Sequence, residues 1–187
     1  MWQRNGLFTA RMAETKRSTG SVDPDRARFL ILPREHGAWG LLLRASELHF
    51  TDVAANMGLG QPSMQQVGWG ASFVDLDSDG RPDLVVANGS TFEQKETSPR
   101  TLVPMASFLF WNAQGSFFHD LAPWNRALSR PHVSRGLAVG DSNNDGAMEV
   151  VIVDQGEGVR LLRNDISQGN WAVLRLHDRV PPRGEPL

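Results

Sequence analysis

A nine-residue acidic loop occurs twice in this chain, as DLDSDGRPD at residues 75–83 and as DSNNDGAME at residues 141–149. In both copies, oxygen-bearing side chains stand at positions one, three, five and nine, and Gly80 or Gly146 stands at position six. A chain that wraps round a cation needs a positive φ there, which glycine adopts without steric cost. Carboxylates crowded in this way repel one another unless a dication neutralises them, and Ca²⁺ takes about six to eight oxygen ligands. The repeated pattern therefore predicts two Ca²⁺ sites.

The loop positions name the candidate ligands. The first site would take side-chain oxygens and one backbone carbonyl from Asp75, Asp77, Asp79, Asp83 and, for the carbonyl, Arg81. The second would take them from Asp141, Asn143, Asp145, Glu149 and, for the carbonyl, Ala147. Three carboxylates against four predict weaker Ca²⁺ binding in the second loop. The alternative for either loop is an acidic turn without a metal, because DSDG is also favourable turn chemistry.

An EF-hand is the wrong description of the first loop. An EF-hand needs a bidentate glutamate at position twelve, where this chain has Val86, and it needs flanking helices. Here short runs of small or β-branched residues flank both loops, namely GWGASFV and DLVVAN round the first, SRGLAVG and EVVIVD round the second. These runs are too short for helices and predict a repeated strand, metal loop and strand.

A hairpin pattern also recurs, at residues 107–122, 39–54 and, with a longer turn, 159–177. About four strands in each unit, at a period of roughly 45–65 residues, are typical of propeller blades. The sequence therefore predicts an all-β fold, a partial β-propeller of four-stranded antiparallel blades. The predicted units are an irregular segment at 1–38, the outer half of a blade at 39–66, a blade with the first loop at 67–133, a blade with the second loop at 134–177 and a tail at 178–187. Closed propellers have about four to eight blades, so open strand edges and self-association through them are expected.

Composition excludes several classes of protein. A formal net charge of -2 gives no reason to expect a nucleic acid or an anionic membrane as partner. The chain has no cysteine, which excludes disulfides and thiolate metal sites. No apolar run reaches the roughly 20 residues of a membrane span, and the first twenty residues lack the apolar core of a secretory signal. Tryptophans fall at matching places in the repeats, which favours a role in the blade core over a sugar-stacking platform; they are Trp39, Trp69, Trp111, Trp124 and Trp171.

The ordered motifs GWGASFVDLDSDGRPDLVVANG, LFWNAQGSFFHDL, RGLAVGDSNNDGAMEVVIVD and LLRNDISQGNWAVLRL resemble the FG-GAP or VCBS repeat proteins over about residues 48–177. The order of these four motifs is most similar to that in the ASPIC/UnbV, or cartilage acidic protein-like, group, although the chain ends where the last domain of that group would be starting. The resemblance implies a non-catalytic Ca²⁺-binding repeat module for interaction or adhesion with a protein or glycan ligand. It also implies an extracellular or periplasmic location.

Two other interpretations remain open. FVDLD resembles the strand-borne acidic pair of haloacid-dehalogenase-like phosphotransferases, with Asp75 as nucleophile and Asp77 as acid. Against this, Asp79 stands where that family has threonine, a strand is predicted where a helix should follow, and one catalytic loop gives no reason for a second copy. The third interpretation is a truncated fragment without an independent function.

Overall fold

The computed structural model describes residues 28–32, 41–46, 49–91, 102–166 and 171–172, with side chains from residue 52 onward within those ranges. They form three antiparallel sheets. The N-terminal sheet holds β1 (Arg28–Leu32), β2 (Leu41–Ser46) and β3 (His49–Asp52). The central sheet holds β4 (Gly68–Val74), β5 (Asp83–Asn88), β6 (Phe108–Ala113) and β7 (Phe117–Asp120). The C-terminal sheet holds β8 (Ser134–Gly140), β9 (Glu149–Asp154) and β10 (Gly158–Leu162).

The chain runs through each sheet as a simple meander, because consecutive strands are antiparallel neighbours; the longest connection within a sheet, residues 89–107, joins β5 to β6. The acidic loops join β4 to β5 and β8 to β9, so each loop lies at the end of a strand pair. The turn between β6 and β7 places Gln114 and Gly115 at positive φ, 56° and 78°, which suits the right-handed twist of a hairpin. Short helical segments lie between sheets: α1 (Gly60–Ser63), a 3₁₀ turn (Ala122–Trp124) and α2 (Arg126–Ser129).

Side-chain alternation gives the central and C-terminal sheets two faces each. We call the face towards the preceding part of the chain the front and the other the back. The front of the central sheet carries Leu84, Val86, Phe108, Phe110 and Phe118, and it packs under the turn at 54–59. The back carries Val85 and Ala87, which pack against the front of the C-terminal sheet, where Val150 and Ile152 lie. The central and C-terminal sheets are therefore stacked face to face, with one apolar layer between them.

A close approach of β4 and β8 fixes the spacing of this stack. A Cβ built on Gly70 would lie 2.6 Å from the backbone nitrogen of Leu137, so only glycine lets β8 come this near. Beside it, the Arg135 guanidinium lies 4.5 Å from the centre of the Trp69 ring, in a cation–π contact. Arg135 also donates to the carbonyl oxygens of Gly89 and Ser90. These contacts join the inner strands of the two sheets.

The structure confirms the all-β class, the strand–loop–strand units and the hairpins at 39–54 and 107–122. Within the segment 1–38 that was predicted to be irregular, RFLIL at residues 28–32 forms β1 and pairs with β2, and the rest of the segment lies outside the described residues. The short helices were not predicted from the strand patterns. The last strand of the hairpin at 159–177 falls outside the described residues, apart from 171–172. Trp124 and Trp171 are exposed, so the prediction of a blade-core role is wrong for these two.

Candidate metal centre

The first acidic loop is held in shape by its own carboxylates. Asp75 accepts the backbone N–H groups of Asp79, at 3.0 Å, and of Gly80, at 2.9 Å. Asp79 accepts the N–H of Arg81 at 2.8 Å. At position nine, Asp83 accepts the N–H at position two of the loop, at 3.0 Å. Positions one, five and nine therefore organise the backbone of the loop as well as carrying charge.

The second loop repeats this pattern bond for bond. Asp141 accepts from the backbone nitrogens of Asp145, at 3.2 Å, and Gly146, at 2.9 Å. Asp145 accepts from the nitrogen at position seven, at 2.8 Å, and Glu149 accepts from the nitrogen at position two, at 2.7 Å. Because hydrogen bonds with the same spacing form in both copies, the similarity of the sequences is a similarity of geometry.

Both loops also enter the left-handed region twice. Gly80 and Gly146, at position six, have φ of 84° and 86°, as the sequence pattern requires. Position four is also left-handed, with φ of 53° at Ser78 and 61° at Asn144. The sequence pattern did not predict this conformation at position four, although an asparagine there is a recognised signal for it.

The first loop gathers Asp75, Asp77 and Asp79, whose carboxylate oxygens lie within 4.8 Å of one another. Oxygens on opposite sides of one Ca²⁺ ion would be about 5 Å apart, since each lies about 2.3–2.6 Å from the metal. The indole nitrogen of Trp111 donates to Oδ2 of Asp77 at 2.8 Å, while Oδ1 of Asp77 is buried without a hydrogen-bond partner. One oxygen of Asp77 is thus anchored, and the other is free to bind a cation.

Asp83, the fourth carboxylate, lies deeper than the other three. Its two oxygens accept backbone N–H groups, Oδ1 from Asn112 at 2.8 Å and Oδ2 from Leu76. Burial raises the pKa of Asp83 to about 6, against the opposing effect of these hydrogen bonds. Burial likewise raises the pKa of Asp75. The structure therefore brings three of the predicted carboxylates together and places Asp83 beneath them, tied to β6.

Arg81 contributes a positive charge to the first loop. Its guanidinium forms an ion pair with Oδ2 of Asp79, so one of the three clustered carboxylates already has a partner. This pairing was not expected from the sequence, which assigned Arg81 only a carbonyl ligand. A cation in the loop would share Asp79 with Arg81 or displace the guanidinium.

The second loop is more open and less acidic. Among the described residues, its carboxylates do not gather as those of the first loop do. The amide of Asn143 donates to Asp145 at 2.7 Å, so one acidic ligand is engaged within the loop. Glu149 is 1% exposed, yet its Oε1 is buried without a hydrogen-bond partner, while Oε2 accepts from Ser142. Glu149 is therefore the second loop's unsatisfied acceptor.

Two residues beside the second loop carried no signal in the sequence patterns. Trp171 lies against Gly146, where any Cβ would collide with the indole. Arg163 occupies the repeat position of Trp111, since Leu162 pairs with Val150 as Phe110 pairs with Leu84. The pKa of Arg163 is raised, chiefly by Asp165 and also by Asp145 and Glu149 of the loop. Where the first loop has an indole donor, the second has a cation.

The structure gives no support to a strand-borne phosphotransferase nucleophile. Both oxygens of Asp75 accept backbone N–H groups, and the loop is followed by β5, antiparallel to β4, instead of a helix. No helix among the described residues is long and apolar enough to cross a membrane.

Comparison with known families gives one match that coincides with the geometry. Residues 75–152, less than half of the chain, match the FG-GAP-like repeat. The match begins at the first residue of the first acidic loop and ends in β9, just after the second loop. No curated protein matches the chain significantly. FG-GAP-like repeats are generally non-enzymatic, typically extracellular and consistent with a β-propeller. Residues 75–152 of this all-β chain therefore carry an FG-GAP-like repeat.

Proposed function

We propose that the chain is a non-catalytic, Ca²⁺-stabilised β-propeller segment that presents its loops to a protein or glycan ligand outside the cell. The FG-GAP-like match supports the repeat module. The Ca²⁺ sites are supported by the loop geometry. The ASPIC/UnbV grouping, adhesion and the identity of the ligand belong to the proposal.

One observation carries the Ca²⁺ proposal: each loop keeps one buried carboxylate oxygen without a hydrogen-bond partner. These atoms are Oδ1 of Asp77 and Oε1 of Glu149. A buried, unpaired acceptor costs about 1–3 kcal/mol, and more when it is charged. The other acidic oxygens of each loop accept from backbone N–H groups or, at Asp77, Asp79 and Asp145, from a side-chain donor, so the two exceptions fit acceptors kept for a cation. Oxygen-only donors suit a hard dication such as Ca²⁺.

A bound Ca²⁺ ion would neutralise the carboxylates of its loop. In the first loop Asp75, Asp77 and Asp79 would hold it; in the second, Glu149 with Asp141 and Asn143 would do so. The loops connect the strands that form the interface between the sheets, so neutralising them would stabilise the stack. A ligand that binds only the folded state stabilises it increasingly with concentration.

The second site would bind Ca²⁺ more weakly, for two independent reasons. It has three carboxylates against four, and the positive charge of Arg163 lies near it. One contact acts in the opposite direction: Arg81 already pairs with one carboxylate of the first loop, which lowers the negative charge available to Ca²⁺ there. Since the first loop still gathers three carboxylates within 4.8 Å, we expect it to remain the tighter site.

The test is a calorimetric titration of Ca²⁺ into the whole chain, with thermal unfolding in Ca²⁺, in Mg²⁺ and in EDTA. We expect two sites of unequal affinity and an unfolding midpoint that Ca²⁺ raises and EDTA lowers. Asp77→Asn should weaken Ca²⁺ binding at the tighter site alone and Glu149→Gln at the weaker site alone, because each removes one carboxylate charge but keeps an oxygen ligand. Glu157→Gln, which removes one charge outside the loops, is the control and should leave both. An unfolding midpoint that is the same in Ca²⁺ and in EDTA would refute the proposal.

A further inference from the structure

The back of the C-terminal sheet is an exposed apolar surface. Two rows of paired residues cross it, Ala138–Val151–Leu161 and Gly136–Val153–Val159. Val153, Val159 and Leu161 are 44%, 67% and 58% exposed. Neither row contains a charged side chain. The surface is therefore flat, apolar and uncharged at its centre, which is unusual for a face left to solvent.

The same positions are covered in the central sheet. By the repeat, Val85 and Ala87 correspond to Val151 and Val153, and they are 1% and 0% exposed. They are covered by the front of the C-terminal sheet, an array of Val, Leu and Ile side chains on β8, β9 and β10. The internal repeat thus shows what fits such a back face: the front of another sheet of the same kind.

Gly70 and Gly136 provide a second, independent indication that another sheet fits against this face. Gly70 on β4 allows β8 to approach, since any Cβ there would meet Leu137. Gly136 holds the corresponding position on β8, but a Cβ built there would meet only Val153 of its own sheet, at 3.6 Å. The residue that permits close approach of the next inner strand is thus present, and no strand among the described residues uses the space.

We propose that a second copy of this chain covers this face by docking its N-terminal sheet on it, head to tail. The back of the central sheet is covered by the next sheet along the chain, and the N-terminal sheet is the first described member of the series. The hairpin of this sheet ends like that of the central sheet, so β1–β3 correspond to β5–β7. Asp52 accepts the N–H of Ala54 as Asp120 accepts that of Ala122, both at 3.0 Å.

Two chains joined in this way supply six of the described sheets. Propellers close with about four to eight, so two reciprocal contacts related by a two-fold axis could complete a ring. The contact uses faces, whereas the association expected from the sequence uses strand edges. It goes beyond the proposed function and does not depend on Ca²⁺ binding by either loop.

The test is the mass of the full chain by sedimentation over a wide concentration range in Ca²⁺. We expect a monomer of 20.7 kDa in equilibrium with a species of twice that mass. Val153→Lys and Leu161→Lys should each raise the dissociation constant at least about tenfold, because docking would bury an unpaired charge. Trp124→Lys, which changes an exposed aromatic residue away from this face, should leave the constant unchanged. Far-ultraviolet circular dichroism and the unfolding midpoint confirm that each variant is folded.

Val153 lies on the middle strand of its sheet, so its substitution leaves the edge of β10 free to pair. A dimer that persists in folded Val153→Lys, or a wild-type chain that stays monomeric, would overturn the proposal. Hydrogen exchange at high and low concentration tests the head-to-tail arrangement. Protection on association in both β1–β2 and β9–β10 supports it, and protection confined to β9–β10 would overturn it. A chain that stays monomeric but is still stabilised by Ca²⁺ would overturn this inference and leave the proposed function standing.

Discussion

The ion pair between Arg160 and Asp154 gives the sharpest prediction of stability. The Asp154 side chain is 1% exposed, and Arg160 reaches both of its oxygens, through Nε and through a terminal nitrogen at 3.1 Å. Ser134 donates to the same carboxylate at 2.6 Å. Arg160 also donates to the carbonyl of Ala127, so it joins the C-terminal sheet to α2.

Arg160→Met keeps an unbranched side chain but leaves the Asp154 carboxylate buried without its cation. Breaking a buried pair in this way costs about 3–5 kcal/mol. Arg160 is 19% exposed, so water can partly replace it, and we expect the lower end, about 3 kcal/mol. That is a large part of the roughly 5–15 kcal/mol that stabilises a typical domain.

Asp154→Asn combined with Arg160→Met should recover most of this loss, to within about 1 kcal/mol of the wild type, because no charge is left buried. The central sheet already uses a neutral arrangement, since Asn88 and Phe108 hold the corresponding positions. The measurement is urea unfolding of wild type, both single variants and the double variant in saturating Ca²⁺, read as a double-mutant cycle.

The pH dependence follows from the same pair. Burial opposes ionisation of Asp154, but its hydrogen bonds with Arg160 and Ser134 and the Arg160 charge hold its pKa below the usual value. The contribution of Asp154 to stability is therefore fully present above the pKa that its carboxyl has in the unfolded chain. It is lost as the pH falls through the pKa of Asp154 in the folded protein. The gap between wild type and Arg160→Met should shrink on acidification. A gap below about 1 kcal/mol at neutral pH, or a double variant no more stable than Arg160→Met, would refute the reasoning.

Three further substitutions test the site and the stack. Trp111→Phe keeps an aromatic ring but removes the N–H that donates to Asp77. The Ca²⁺ affinity of the first loop, measured by calorimetry, should therefore fall about threefold to tenfold, while that of the second loop stays unchanged. Unchanged affinity in the first loop would show that Asp77 does not need this hydrogen bond to bind Ca²⁺. Gly70→Ala should cost about 1–3 kcal/mol in urea unfolding, because its Cβ would collide with Leu137, whereas Gly136→Ala should change stability of the monomer by less than about 0.5 kcal/mol. Equal losses would mean that the close approach of the strands does not limit the packing.

Local chemistry determined much of this protein from the sequence alone. Glycine at position six and carboxylates at fixed intervals specify the turn of the loop, because the hydrogen bonds repeated in both copies join residues of the same nine-residue loop. Short β-branched runs and the Gln114–Gly115 turn specify the strands and a hairpin for the same reason. The repetition of these patterns then predicted the stacked units, including the correspondence between the two loops.

Only the tertiary structure decided which side chains meet across the sheets. Trp111 donates to Asp77 from 34 residues away, and Asn112 draws Asp83 beneath the first loop from 29. No periodicity encodes these pairs, because they depend on how β6 pairs with β5. The exposure of the C-terminal back face is likewise invisible in the sequence. Ala87 and Val153 hold the same position in two similar apolar runs, and what separates the buried residue from the exposed one is whether another sheet lies against it.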